Sequence, residues 1–252
     1  ALGAAATGIG LTETAYAMVT GQLWFQVPPT IRFELEGALG RGVMPKDLML
    51  ALLGKFGTQV AQYKAVEFAG PAADSMSIEG RLTMSNIGSE MGAKFAFFAA
   101  DAKTLAYLRS RTDRPVQAFG PDADAGYEAV HRIDCSAIEP QVALPHKPDN
   151  VKPVSELGEI RIQQAFIGSC TNARAGDLER VAAILKGRRV APGTRLLVIP
   201  ASHEVLVEAT RNGSLAVLVE AGAMIATPGC GPCGGGSTGV LGPGENGIAS
   251  TN

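Results

Sequence analysis

Two short stretches carry residues able to do chemistry. Thr227-Pro-Gly-Cys-Gly-Pro-Cys-Gly-Gly-Gly236 sets Cys230 and Cys233 three positions apart, with no large side chain nearby to bury them. Sixty residues before Cys230, Gly168-Ser-Cys-Thr-Asn172 carries Cys170 in what reads as a tight turn. A C-x-x-C pair fits a redox dithiol, half of a zinc site or part of an iron–sulfur site, and each wants different company. A redox pair normally opens a helix whose N-terminus lowers the nucleophile's pKa, and the glycines after Cys233 support a helix start poorly. A structural zinc wants four ligands. Only Cys135, His131, His146 and His203 remain to complete one, none at a familiar spacing. A loop of unliganded thiols is the plain alternative, because free cysteine is often just a small buried hydrophobe. Three thiolates on a cubane cluster would leave one iron without a protein ligand, a Lewis acid rather than a mere electron carrier.

The elements that must position these thiols alternate between strand and helix. Thr30-Ile-Arg-Phe-Glu-Leu-Glu36 alternates apolar and polar residues as a half-buried strand does. Residues 45–53 read as a helix with proline in its first turn, 64–68 as a strand, 77–94 as one helix and 95–98 as a short apolar strand. Asp101 reads as the N-cap of a helix over 102–109. From 144 to 154 the periodicity vanishes and three prolines fall within nine residues, which predicts a linker. Beyond it, 159–167 reads as a strand, and 177–185 as a helix with Leu178, Val181, Ala182 and Leu185 on one face. Strands at 195–199 and 224–226 flank helices over 204–211 and 214–221. Cys170 and Cys230 therefore each fall just past the carboxyl end of a predicted strand. That edge of an open α/β sheet is where connecting loops converge on a crevice.

Composition bounds the function classes. The 252 residues are 46% hydrophobic and 18% charged, a globular composition with room for about two domains. A formal charge of −2 without like-charge runs points away from nucleic acid and anionic membrane. The uncharged stretch 14–31 carries Pro28-Pro29 and polar residues, so no membrane span is expected. Without a basic leader at its start, the chain reads as cytoplasmic, where thiols serve as ligands or catalysts more often than in disulfides. Its opening without Met and its end at Ala249-Ser-Thr-Asn252 read as a chain with sequence missing on both sides.

Ile167-Gly-Ser-Cys-Thr-Asn172 followed by Pro228-Gly-Cys-Gly-Pro-Cys-Gly234 resembles the cluster-binding pair of motifs of the aconitase superfamily in type, order and separation. Three further stretches, Tyr63-Lys-Ala-Val-Glu-Phe68, Met84-Ser-Asn-Ile-Gly-Ser-Glu-Met-Gly-Ala-Lys94 and Pro145-His-Lys-Pro-Asp-Asn150, resemble its 3-isopropylmalate dehydratase and homoaconitase large-subunit branch. The resemblance implies an aconitase-like, multidomain three-layer α/β fold with mainly parallel sheets. In that reading 1–28 ends a first α/β domain, 29–145 forms a second, 146–156 links, and 157–252 is the cluster-binding domain. It implies a [4Fe–4S] cluster on Cys170, Cys230 and Cys233 with one iron not ligated by protein. It also implies a hydro-lyase acting on a malate-like hydroxy-polycarboxylate, 3-isopropylmalate of leucine biosynthesis first, with homoaconitase or aconitase chemistry as alternatives. The implied partner is a small swivelling subunit that supplies a serine base.

By the same resemblance Asn86 and Glu90, four apart on the predicted helix 77–94, face the cluster neighbourhood, and Asn252 joins the active site. The family's Gly-Asp-Ser-His-Thr segment and the Arg after that Asn find no match in these residues. A non-catalytic, metal-stabilised binding module is the alternative of another class. His131 and His203 read as surface or capping residues, His146 as a structural hydrogen-bonding residue, and Cys135 as a thiol without function. The glycines of 234–247 lack the G-x-x-x-x-G-K-[ST] order of a phosphate loop. They read instead as a path that lets backbone pass close to the cluster and its substrate.

Overall fold

The computed structural model describes residues 2–235 and 237–251. The chain divides into two compact units, one running to Glu156 and the other starting at Leu157.

The first unit opens on helix α1 (Leu11–Thr20), which buries none of its residues. Strands β1 (Thr30–Glu36), β2 (Ala65–Ala69), β3 (Phe95–Phe98) and β4 (Ala129–Asp134) then form a parallel sheet in the order β3-β2-β1-β4. The period-two pattern of β1 explains its burial. Ile31, Phe33 and Leu35 are at most 1% exposed and face the core, each contributing roughly 1.5–3 kcal/mol by leaving water. Their cover is α2 (Pro45–Phe56) and α4 (Ile78–Ile87), with α3 (Pro71–Ser75) and α5 (Ala102–Arg109) alongside. Asp101 caps α5 as predicted, accepting a hydrogen bond from the Thr104 amide at 2.9 Å. The other face of β1 and β2 carries Arg32, which pairs with Glu34 at 2.6 Å and with buried Glu67 at 3.0 Å.

Three expectations change here. The helix predicted over 77–94 stops at Ile87, and a tighter 3-10 turn, Gly88–Met91, replaces its last part. Gly88 packs so closely on Ala96 that a side chain would collide with it, and Gly92 turns the chain with a left-handed φ of 78° so that β3 can begin at Phe95. The expected linker holds strand β6 (Val151–Pro153), paired antiparallel with β5 (Gln141–Ala143). Asp47 of α2 accepts from the Gln141 amide at 2.8 Å, which fastens this hairpin to the first unit. His131 is half-buried rather than a surface residue, its ring stacked on Phe33 with centroids 5.2 Å apart.

The second unit is a parallel sheet of β7 (Gln164–Gly168), β8 (Arg195–Ile199), β9 (Met224–Ile225) and β10 (Gly247–Ala249), in the order β10-β7-β8-β9. Helices α6 (Ala175–Leu185), α7 (His203–Arg211) and α8 (Ser214–Glu220) cover one face, where Leu178, Ala182, Leu196, Val198, Ala209 and Leu218 pack together. The opposite face presents Phe166, Leu197 and Ile199. Its cover is not a helix but the glycine-rich stretch after β9. A Cβ on Gly231 would stand 2.5 Å from Ile199 Cδ1, a Cβ on Gly239 would collide with Leu197, and the Gln164 side chain donates to the Gly239 carbonyl at 2.5 Å. At these two positions glycine lets backbone lie directly on the sheet, a nearer task than the approach to a ligand predicted for it. Among the described residues no helix is long and apolar enough to cross a membrane.

Candidate functional site

Cys170 follows the carboxyl end of β7 in a loop of unusual backbone. Ser169 and Ala173 both hold left-handed conformations, with φ of 66° and 58°, which cost non-glycine residues about 1–2 kcal/mol each. Specific contacts offset that cost. The Ser169 hydroxyl is 2.6 Å from that of Thr251, the Gly168 amide donates to Ser250 Oγ at 3.1 Å, and the Asn172 side-chain amide donates to the Ser250 carbonyl. The Ala173 carbonyl accepts from the Ala201 amide at 3.0 Å. Arg174, the residue just before α6, donates through Nη2 to the Cys170 carbonyl at 2.8 Å. The Cys170 side chain is exposed at the apex of this frame.

Cys230 and Cys233 belong to a 3-10 turn, Gly231–Gly234, in which the Cys233 amide donates to the Cys230 carbonyl at 3.3 Å. Both thiols are exposed. Gly231, between them, has φ of 56°, and a Cβ there would stand 3.1 Å from Phe166 Cζ. A Cβ on Gly168 would meet the same ring at 2.6 Å. One phenyl ring thus spaces the two cysteine-bearing turns, each by a glycine within two residues of a thiol. The sequence motif gave the thiols, but this shared ring needed the sheet to be seen.

The donor set suits a soft, multi-iron group: three exposed sulfurs, carried by two turns at the carboxyl edge of one sheet. In a cubane each cysteine takes its own iron, so the thiols need not meet at one point. Among the described residues no three His, Cys, Asp or Glu side chains are grouped to hold a single metal ion, which leaves the four-ligand zinc alternative without its ligands. Cys135 is fully buried, and desolvation with Asp134 beside it pushes its thiol up to about 11. It stays protonated and is not a donor.

Asn86 and Glu90 belong to the first unit. Asn86 is in the last turn of α4 and Glu90 in the following 3-10 turn, so the regular four-residue spacing on one helix face predicted for them is not kept. Both are half-buried, fixed by the buried Met84, Ile87 and Met91 between and beside them. The turn closes on the start of β2, with the Ala61 amide donating to the Met91 carbonyl at 3.0 Å and the Tyr63 amide to that of Gly92 at 3.1 Å. This is the amino edge of the first sheet. Asn252 lies outside the described residues. Sequence reasoning missed Arg174, whose partner is local, and Ser250 and Thr251, whose partners depend on which strand lies beside β7.

The sequence matches the aconitase family (aconitate hydratase) across residues 1–252. It is 49% identical over its whole length to the 3-isopropylmalate dehydratase large subunit of Moorella thermoacetica, of which it spans 60%. It is 47% identical to a probable methanogen homoaconitase large subunit of Methanosarcina mazei, again over its whole length, and spans 64% of that protein. A crystal structure of aconitase X from Thermococcus kodakaraensis is a weaker likeness, with a TM-score of 0.44 and 13% identity over 84% of this chain and 47% of that one. The chain thus spans less than two thirds of the curated relatives it matches.

Proposed function

The chain belongs to the aconitase family, and from that premise we propose that it works as the large subunit of a hydro-lyase, with Cys170, Cys230 and Cys233 holding a [4Fe–4S] cluster. One observation carries the reading: the two cysteine-bearing turns rest on the same Phe166 ring, with all three thiols exposed. Such a group, when bound with three protein ligands, supplies one Lewis-acidic iron. The chain's own residues do the rest. The Asn86 side-chain amide can donate to a substrate oxygen, the Glu90 carboxylate can hold or release a proton there, and Asn252 is assigned to the same site. Backbone amides near Ser169 to Asn172 and Gly231 to Gly235 that are not already bonded to oxygen could donate to the sulfurs of such a group and tune it.

The substrate proposed is 3-isopropylmalate, in leucine biosynthesis, and the Moorella relative's name supports it. The Methanosarcina relative, nearly as similar, favours homoaconitase chemistry as the second reading. The partner proposed is a small subunit bringing the base, a serine on a swivelling domain, and the words "large subunit" in both relatives' names support a partner. A cytoplasmic setting goes with this reading. So does the division into the end of a first domain at 1–28, a second domain at 29–145, a link at 146–156 and a cluster-binding domain at 157–252.

Anaerobic purification followed by iron and acid-labile sulfide analysis tests the cluster. Near-equal iron and sulfide in the parent, lost in Cys170→Ser, Cys230→Ser and Cys233→Ser but kept in Cys135→Ser, is expected. Zinc without sulfide would leave a metal-stabilised binding module instead. With the small subunit added, relative rates on 3-isopropylmalate and homocitrate separate the two substrate readings.

A further inference from the structure

We propose that the dipeptide Ser250-Thr251 is a clamp that sets the position of Cys170 before any metal is loaded, with Thr251 as the positioning residue. The proposal rests on the reading of Cys170 as a cluster ligand, but its physical content lies in the polypeptide.

Ser250 and Thr251 follow β10, and together they grip the residues on both sides of Cys170. Ser250 takes Gly168 through its hydroxyl and Asn172 through its carbonyl. Thr251 takes Ser169 at 2.6 Å and Thr171 at 3.5 Å, both through Oγ1. The three hydroxyls form a chain, and the Thr171 amide closes it by donating to Ser169 Oγ at 3.5 Å. Ser169, Thr171 and Thr251 are 2%, 1% and 4% exposed. Buried hydroxyls without partners are costly, so each holds the others in place. What the clamp maintains is a left-handed Ser169, φ 66°. An extended residue there would turn the next side chain away from its present course, whereas the left-handed one leaves Cys170 at the exposed apex of a buried frame. Thr251 touches the residues on both sides of the thiol, which a general packing residue would have no reason to do.

The test compares Thr251→Val, which keeps the shape and removes the hydroxyl, with Thr251→Ser, which keeps the hydroxyl. Two measurements are made on the full-length protein. In the metal-free form, amide hydrogen exchange of the 168–172 peptide is followed by mass spectrometry. After reconstitution with iron and sulfide, iron per chain and the electron paramagnetic resonance spectrum of the dithionite-reduced cluster are recorded. In Thr251→Val the 168–172 peptide exchanges about tenfold faster, the change expected for one lost buried hydrogen bond. Iron per chain falls and the resonance broadens, while Thr251→Ser restores all three. Should the valine variant fail to fold, Ser169→Ala deletes the same 2.6 Å contact from the other side and carries the same expectation. Parent-like exchange and loading in both Thr251→Val and Ser169→Ala overturns the clamp and leaves the cluster reading standing. Faster exchange in a protein that takes up no iron–sulfide group even as the parent supports the clamp and removes the cluster.

Discussion

The Cys170 loop and the Asn86–Glu90 turn sit at opposite ends of their respective sheets. Cys170 lies at the carboxyl edge, on a loop with two left-handed non-glycine residues, Ser169 held by the Thr251 hydroxyl and Ala173 by the Ala201 amide. Asn86 and Glu90 lie at the amino edge, on a helix end held by Met84, Ile87 and Met91 in the core. The usual rule for open α/β sheets favours the carboxyl edge because loops converge there, and on the proposed reading of its cysteines the second unit obeys it. In the first unit apolar packing positions the polar pair. The same chain thus fixes exposed or half-buried polar residues in two ways, one dependent on buried polar bonds and one on hydrophobic anchors.

The sharpest way to break this contrast is to change one region and read the other. On the proposed function, Glu90→Gln removes a proton-holding group and no cluster ligand. With the small subunit present, kcat falls by about 10²-fold or more, the range for a lost acid–base group, while iron and sulfide per chain stay at parent values. A joint fall in metal content would mean that Glu90 serves the cluster's binding instead.

Next in size is Gly231→Ala. Its φ of 56° and the 2.5 Å approach to Ile199 Cδ1 leave no room for a methyl group without displacement. Overpacking and the left-handed backbone together cost about 2–4 kcal/mol. Denaturant unfolding should show the loss, with hydrogen exchange accelerating in β7 and β8 but not in β1 and β2. Unchanged stability would mean that the glycine-rich cover is loose.

The smallest effect concerns acid. In the first unit Arg81, 2% exposed, is paired at 2.6 Å with Asp101, and that hydrogen bond is the main cause holding the Asp101 carboxyl down at about 2. A carboxylate whose folded pKa is depressed contributes stability above its unfolded pKa near 4 and loses it as pH falls through about 2. Asp101→Asn therefore destabilises at pH 7, by about 1–2 kcal/mol after allowing for the partial exposure of Asp101, and the difference from parent closes between about pH 4 and 2. In the second unit Arg195 and Glu245 form a more exposed pair, with Glu245 also near 2. Replacing Glu245 with Gln should change acid stability less than Asp101→Asn does. Equal effects would show that burial of the arginine does not set the difference.

How much could be read beforehand depended on whether the deciding contact was local. Arg195–Ile199 as a strand, Asp101 as a cap and the helical face of Leu178 and Ala182 follow from neighbours in sequence, and the structure has them so. The overlong helix 77–94 failed on contacts from elsewhere, since Gly88 is needed by Ala96 of the next strand. Strand β10 was missed because Gly247-Ile-Ala249 is short and unmarked by any pattern. Only its register, with Ala249 opposite Phe166, makes it a strand. The thiols announced themselves by type and spacing. The hydroxyls around Cys170 did not, because serine and threonine beside a cysteine look like any polar loop until β10, which leads into Ser250 and Thr251, is placed beside β7.

That placement has a consequence for the order of events during synthesis. Ser250 comes 80 residues after Cys170. At about 5–20 residues per second a ribosome needs roughly 4–16 s to add them. Until then β7 lacks its edge neighbour and Ser169 has no hydroxyl to hold it left-handed, so the Cys170 thiol emerges first on an untied loop. Any group delivered to that thiol in the interval meets a floppy donor, open to oxidation and to stray ions. Strand β10 therefore acts as a timer: 80 further residues must follow Cys170 before that thiol is held ready.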